Sequence, residues 1–232
     1  MSQKTELRLP VPHQGVEHVH AVLDAPEEGA PRGAFVLAHG SGAPLCSDFL
    51  EAVAPAIADS AGLAVLRFNY GYAELMIRSG KPRPPERRPA LEVVHRAAIA
   101  HARSVLPDLP VILGGKSLGG RIASLMVAEG EPTAGLCFLG YPLHPPGKKD
   151  RLRTDHFPDL DVPALFVQGT RDPLCDLTLL EAALPSFAGR PTVCLIEDGD
   201  HSFNVLKRSG RAPSEVIGEI AAAVATWADG AL

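Results

Sequence analysis

Short apolar runs alternate along the chain with longer stretches whose apolar residues recur at helical spacing. The apolar runs are too short for helices and almost continuous in hydrophobicity, which is typical of parallel strands that are buried on both faces. We therefore predict six such strands, over residues 34–38, 64–68, 111–114, 135–139, 164–167 and 193–196.

Two earlier segments, residues 7–9 and 18–22, instead alternate between apolar and polar positions. Alternation with a period of two indicates strands with one buried face. Because the segments are close in sequence, we predict that they form an antiparallel hairpin at one edge of the sheet.

The stretches between the strands predict five helices, and the last two have candidate N-caps in Asp176 and Ser214. The helices cover residues 49–60, 91–106, 118–129, 176–184 and 214–227. Alternating strands and helices favour one α/β domain over residues 1–232, with a mostly parallel sheet of about eight strands flanked by helices.

Composition supports a folded protein, since 46% of the residues are apolar and 21% are charged. A net charge of −5 gives no general attraction to nucleic acid or to an anionic membrane. No apolar run reaches the length of a membrane span, and the first residues lack the apolar core of a signal peptide. The four cysteines fit no CxxC spacing and are expected to be reduced. We expect a cytoplasmic protein.

A candidate nucleophile lies in the stretch GGKSLGG, where Ser117 has the spacing GxSxG. The pattern alone is weak, but here it follows a buried strand and directly precedes a helix. That strand–turn–helix context is the one required by a nucleophile elbow, a strained turn that exposes the serine at the carboxyl edge of the sheet. We therefore predict that Ser117 is a nucleophile.

Serine requires a base and an orienting acid, which follow it in chain order in folds with such an elbow. Asp172 comes shortly after the predicted strand 164–167, and His201 comes shortly after the strand 193–196. Ligands of open α/β sheets bind at these carboxyl ends. We predict Asp172 as the acid and His201 as the base, with Asp198 as the alternative acid.

The strand 34–38 runs into the glycine-rich stretch HGSG. A loop of this kind supplies one backbone N–H to an oxyanion hole, together with the N–H of the residue after the nucleophile. Here that residue is Leu118, and the loop donor is Ser41, with Gly42 as second choice. His39 is interpreted as a residue that shapes the loop through local hydrogen bonds.

Other side chains near the strand ends have two readings each. Tyr70, Tyr72 and Tyr141 either line the pocket or pack at its rim. Lys116 is expected to be a solvated charge, with contact to an acidic substrate as the alternative.

The segment 78–89, RSGKPRPPERRP, carries a net charge of +4 and four prolines that are expected to keep it out of helices. It is either a solvated loop or a flap that attracts a carboxylate or phosphate.

The stretches HGSG, RFNY, GGKSLGG, GYPLHPPGK, GTRDPL and DGDHSF together resemble a small, lidless branch of the α/β-hydrolases. This branch is similar to dienelactone hydrolase, and its eukaryotic relatives include a subunit of a histone-acetyltransferase complex. The resemblance covers residues 32 to 228 and implies an α/β-hydrolase fold without a separate lid domain. It implies that Ser117, Asp172 and His201 are the catalytic serine, acid and histidine. The dienelactone hydrolases themselves have a cysteine as nucleophile.

The sequence thus predicts a serine hydrolase acting on a small ester, thioester or related acyl substrate. It requires no metal and no organic cofactor. The alternatives are a non-catalytic protein-interaction module that retains the fold, since fold does not imply function, and an acyltransferase.

Overall fold

The computed structural model describes residues 3–13 and 15–232 and places eight strands in one sheet. In chain order, β1 to β8 are Gln3–His13, Val16–Ala25, Gly33–Ala38, Leu63–Phe68, Val111–Lys116, Gly135–Leu139, Ala164–Gly169 and Pro191–Ile196. The helices α1 to α6 are Asp48–Ala61, Gly71–Ser79, Arg88–Val105, Leu118–Ala128, Leu177–Ala183 and Pro213–Ala231. The predicted mostly parallel, eight-stranded sheet is confirmed.

The strand order is β1-β2-β4-β3-β5-β6-β7-β8. The first two strands form the predicted antiparallel hairpin at the edge, and β2 also pairs antiparallel with β4. All later pairings are parallel. The carboxyl ends of β3, β5, β7 and β8 therefore lie along the same edge of the sheet, which is where the candidate site residues follow.

Two buried apolar clusters cover the two faces of the sheet. Successive residues of β3 alternate between them: Val36 belongs to the cluster with α3 and α4, whereas Phe35 and Leu37 belong to the cluster with α1 and α6. This two-sided burial explains why the parallel strands are continuously apolar in sequence. None of the helices in the described part of the chain is both long and apolar enough to cross a membrane.

Helix α2 was not predicted, and it changes the interpretation of the proline-rich segment. Arg78 belongs to the last turn of α2, and Arg88 and Pro89 form the first turn of α3. The prediction that residues 78–89 stay out of helices is therefore wrong at both ends. Arg78 lies before the prolines, and at the other end proline is compatible with a first helical turn. Arg88 pairs with the carboxylates of Glu92 and Glu129, so its charge is not available to a substrate.

The two predicted N-caps have different outcomes. The Asp176 carboxylate accepts hydrogen bonds from the backbone N–H groups of Thr178 and Leu179, which confirms it as the cap of α5. Ser214 is not a cap, because α6 already begins at Pro213. There the Glu215 carboxylate accepts the N–H of Ala212 at 2.5 Å.

Gly119, in the first turn of α4, allows this helix to approach β3 closely. A Cβ atom on Gly119 would lie 2.4 Å from the carbonyl oxygen of Ala38, which is too short for a non-bonded contact. We expect Gly119→Ala to lower the free energy of unfolding by about 3 kcal/mol, since helix and strand would have to separate. Chemical denaturation measures this change.

Gly218 provides the matched control, because it is exposed in α6 and a Cβ there would meet no atom within 4 Å. We expect Gly218→Ala to raise the free energy of unfolding by about 0.5–1 kcal/mol through helix propensity. Equal effects of the two substitutions would contradict the close approach at Gly119.

Candidate active site

Ser117 connects the end of β5 to the start of α4. Its backbone angles are φ 49° and ψ −110°, a strained conformation for a residue with a side chain. Ser117 is partly exposed. It lies close to Gly40 in the loop after β3, because a Cβ atom added to Gly40 would be 3.6 Å from the Cβ of Ser117. The serine hydroxyl is therefore presented at a sharp turn beside a glycine-rich loop, as the elbow context predicted.

The structure brings Ser117, His201 and Asp172 into one hydrogen-bonded chain. Nε2 of His201 lies 2.8 Å from Oγ of Ser117, and Nδ1 lies 2.7 Å from Oδ2 of Asp172. A carboxylate can only accept, so Nδ1 carries the hydrogen and Nε2 is free to accept the serine proton. The Asp172 side chain is completely buried, whereas His201 is 21% exposed and open to a substrate.

Asp172, and not the alternative Asp198, lies next to the imidazole. Asp198 has a left-handed backbone at φ 58°, and its N–H donates to Oγ1 of Thr170 at 2.9 Å. Its carbonyl oxygen accepts a hydrogen bond from Arg171. Asp198 therefore shapes the turn before His201.

Gln168 supports the Asp172 carboxylate and was missed by the sequence analysis. Its Nε2 donates to Oδ2 of Asp172, its Oε1 accepts the N–H of Tyr141 at 2.9 Å, and the side chain is fully buried. The N–H of Leu174 donates to the other carboxylate oxygen at 2.7 Å. In the sequence, the only indication of this role was that a polar residue directly follows the apolar run 164–167.

The loop after β3 is fixed through the carbonyl group of Gly40. Nδ1 of His39 donates to this oxygen at 2.7 Å, and the Tyr72 hydroxyl donates to it at 3.3 Å. In a trans peptide the N–H points away from the carbonyl oxygen, so the N–H of Ser41 points away from His39 and Tyr72. The two side chains thus set the orientation of the predicted loop donor.

His39 is fully buried, and burial lowers its pKa to about 4. The ring is therefore neutral near pH 7, with Nδ1 as donor to Gly40 and Nε2 as acceptor of the Tyr70 N–H at 3.0 Å. This tautomer serves the loop and leaves neither ring nitrogen for a substrate. The geometry agrees with a loop-shaping role for His39.

The second candidate donor on the loop is Gly42, which is exposed at φ +75° in the following turn. The partner donor, Leu118, is the first residue of α4, where backbone N–H groups have no acceptor within the helix. Ser41 and Leu118 thus lie on the two segments that flank Ser117.

Of the two readings for the tyrosines, the structure favours packing for Tyr70 and Tyr141. Both are fully buried. The Tyr70 hydroxyl lies 3.1 Å from Nδ1 of His95, and the Tyr141 hydroxyl donates to the carbonyl of Arg153 at 2.7 Å. Tyr72 is almost fully buried too and acts on the loop through Gly40.

The expectation that Lys116 is a solvated charge is wrong. Lys116 is only 8% exposed, because its side chain lies beneath the loop that carries His201. Its Nζ donates to the carbonyl oxygen of His201. Burial lowers the pKa of Lys116 to about 8.

Among the described residues, no group of three or more His, Cys, Asp or Glu side chains is arranged to hold a metal ion.

The fold and this arrangement define an α/β-hydrolase. A family model described as the alpha/beta hydrolase domain matches residues 31–229, and the chain belongs to that family. The predicted α/β-hydrolase fold is thereby confirmed.

Three solved structures share this fold. A serine hydrolase homologue from Coxiella burnetii is 16% identical, with a TM-score of 0.70 over 92% of this chain and 95% of that one. Dienelactone hydrolase from Anabaena variabilis is 23% identical, with a TM-score of 0.69 over 99% and 98%. A serine hydrolase without a lid from Xanthomonas campestris is 21% identical, with a TM-score of 0.69 over 97% and 95%.

Proposed function

We propose that this protein is a serine hydrolase that cleaves small esters, thioesters or related acyl compounds. The observation that carries the proposal is the hydrogen-bonded chain from Ser117 through His201 to Asp172. Each contact has the length of a strong hydrogen bond. Serine, histidine and aspartate are also the side chains that serve as nucleophile, base and orienting acid in such a triad. The alternative of a non-catalytic module gives no reason for this chain of contacts.

In the first half of the reaction, Oγ of Ser117 attacks the substrate carbonyl carbon while its proton moves to Nε2 of His201. The N–H groups of Ser41 and Leu118 stabilise the oxyanion that forms. Asp172 holds Nδ1–H and stabilises the charged imidazole. The tetrahedral intermediate then expels the alcohol or thiol, which takes the proton from Nε2, and an acyl-serine remains.

In the second half, a water molecule gives a proton to Nε2 and attacks the acyl carbon. Collapse of the second tetrahedral intermediate releases the carboxylic acid, and Oγ of Ser117 regains the proton. Both Ser117 and His201 are partly exposed, so substrate and water can reach them directly. An alcohol acceptor in place of water would make the same enzyme an acyltransferase.

A fluorophosphonate probe tests the proposal, because an activated serine forms an Oγ–phosphorus bond and expels fluoride. We expect one probe per chain, located on Ser117 by peptide mass spectrometry, and no labelling of Ser117→Ala. His201→Ala should also react much more slowly, since the base is removed. A wild-type protein that stays unlabelled, or is labelled only elsewhere, would contradict the proposal and favour a non-catalytic module.

A further inference from the structure

We propose that Lys116 is a positioning residue for the base: its ammonium group holds the main chain of His201 in place relative to the strand that ends at Ser117. This inference rests on the proposed function, in which His201 is the base. It gives Lys116 a role different from both the solvated charge and the substrate contact that the sequence suggested.

The first support is the contact itself. Lys116 is the last residue of β5 and directly precedes Ser117. Its Nζ donates to the carbonyl oxygen of His201, which is 85 residues away in sequence. One side chain thus links the strand that ends at the nucleophile to the loop that carries the base. Movement of this loop would change the distance between Nε2 and Oγ.

The second support is the enclosure of the ammonium group. It lies 5.3 Å from the centre of the Phe203 ring, in the geometry of a cation–π contact. A Cβ on Gly140 would lie 3.0 Å from Nζ and 3.7 Å from Cε1 of His201, so the ammonium and the imidazole border the same space. Gly140 has φ +73°, and a larger residue there would be strained as well as crowded.

The carboxylates that face this lysine are already bonded to other groups. Asp172 accepts from Gln168, Leu174 and His201, and Asp200 accepts from the N–H groups of Ser202 and Asn204. The hydrogen bond of the Lys116 ammonium runs from Nζ to the carbonyl oxygen of His201, while Asp172 and Asp200 act on its charge electrostatically. The positive charge is therefore directed at a backbone carbonyl and not at an ion-pair partner.

The energetics argue against a role in stability. Burial lowers the pKa of Lys116 from 10.5 to about 8, although Asp172 and Asp200 oppose the shift. A lowered pKa means that the fold holds the ammonium less well than water does. This cost in the free energy of folding is fully present below pH 8. It decreases as the pH rises toward 10.5, the pH at which the lysine of the unfolded chain loses its proton. Replacement of a residue that only stabilised the fold should lower Tm, whereas Lys116→Met should not.

Removal of the ammonium breaks the contact that ties the His201 loop to the end of β5. It should thereby free the main chain at His201, and a misplacement of about 1 Å in an active site costs up to about 100-fold in rate. Lys116 is buried and its Nζ is bonded to the carbonyl oxygen of His201, so we expect the loss to appear in kcat.

The experiment compares wild type, Lys116→Met and Lys148→Met, a control in which an exposed lysine is replaced. We expect Lys116→Met to lower kcat for a p-nitrophenyl ester by at least about 10-fold, with KM within about 3-fold and Tm at pH 7 not reduced. Lys116→Arg, which keeps a cationic donor for the carbonyl oxygen of His201, should recover part of the lost kcat. The control should match wild type. Lys116→Gln serves as a second neutral variant if the methionine variant does not fold.

The outcomes separate this inference from the proposed function. Normal kcat in the neutral Lys116 variants, with Ser117 still labelled by a fluorophosphonate, would overturn the role of Lys116 alone. A loss of kcat that is matched by a fall in Tm, with no recovery in Lys116→Arg, would also overturn it. A wild-type protein whose Ser117 never reacts with the probe would overturn the hydrolase proposal, on which this inference rests.

Discussion

Replacement of Ser117 with alanine is expected to lower kcat/KM for a short p-nitrophenyl ester by at least about 1,000-fold. The reason is that the substitution removes the Oγ atom that lies 2.8 Å from Nε2 of His201 and that acts as nucleophile in the proposed reaction. The fold should be unaffected, because the lost hydroxyl is partly exposed and contributes little packing. Initial rates and thermal unfolding of the purified variant measure both effects.

Ser117→Gly provides the control for strain at the elbow. Glycine adopts φ 49° without the steric cost that a side chain carries, so this variant should be inactive and more stable by about 1 kcal/mol. Hydrolysis by either variant at the wild-type rate would show that Ser117 is not the nucleophile. A fall in stability of the glycine variant would show that the turn is not strained.

Replacement of Asp172 with asparagine should lower kcat by about 100- to 10,000-fold, the second largest effect that we expect. The amide preserves the shape of the side chain, but its NH₂ group can donate to Nδ1 and so favour the imidazole tautomer with hydrogen on Nε2. That tautomer cannot accept the proton of Ser117. The measurement is kcat for the same ester, with circular dichroism to verify the fold.

Asp198→Asn is the matched control, because Asp198 is three residues before His201 and its observed contacts use its backbone. We expect its kcat to remain within about 3-fold of wild type, since the group next to Nδ1 is unchanged. If Asp198→Asn proved the more damaging of the two substitutions, the assignment of the acid would have to be exchanged.

Local patterns were sufficient to predict most of the scaffold. Strand β6 was predicted with its observed limits, and helix α4 was predicted to within one residue, because buried parallel strands and the helices between them have distinct apolar periodicities. Helix α2 was missed because it has only nine residues, and one of its buried side chains is the charged Glu74. The Asn69 amide donates to that carboxylate at 2.9 Å, a pairing that hydropathy does not reveal.

The order of Ser117, Asp172 and His201 was also available from sequence, since each follows a predicted strand and the ends of parallel strands meet at one edge. The sequence favoured Asp172 over Asp198 by strand position alone, because both are near strand ends. Only the tertiary structure shows the Asp198 backbone at φ 58° and the Asp172 carboxylate buried against Gln168 and next to His201.

The sequence by itself determined the strands, the strained turn at Ser117 and the chain order of the candidate triad, because these depend on periodicity and on residues close in sequence. Only the tertiary structure decided that Lys116 is buried and that Gln168 supports the acid. Those roles arise from contacts between distant segments, such as Nζ of Lys116 with the carbonyl of His201. The free energy of a charged or polar side chain depends on which groups the fold packs around it, and a linear pattern does not contain that information.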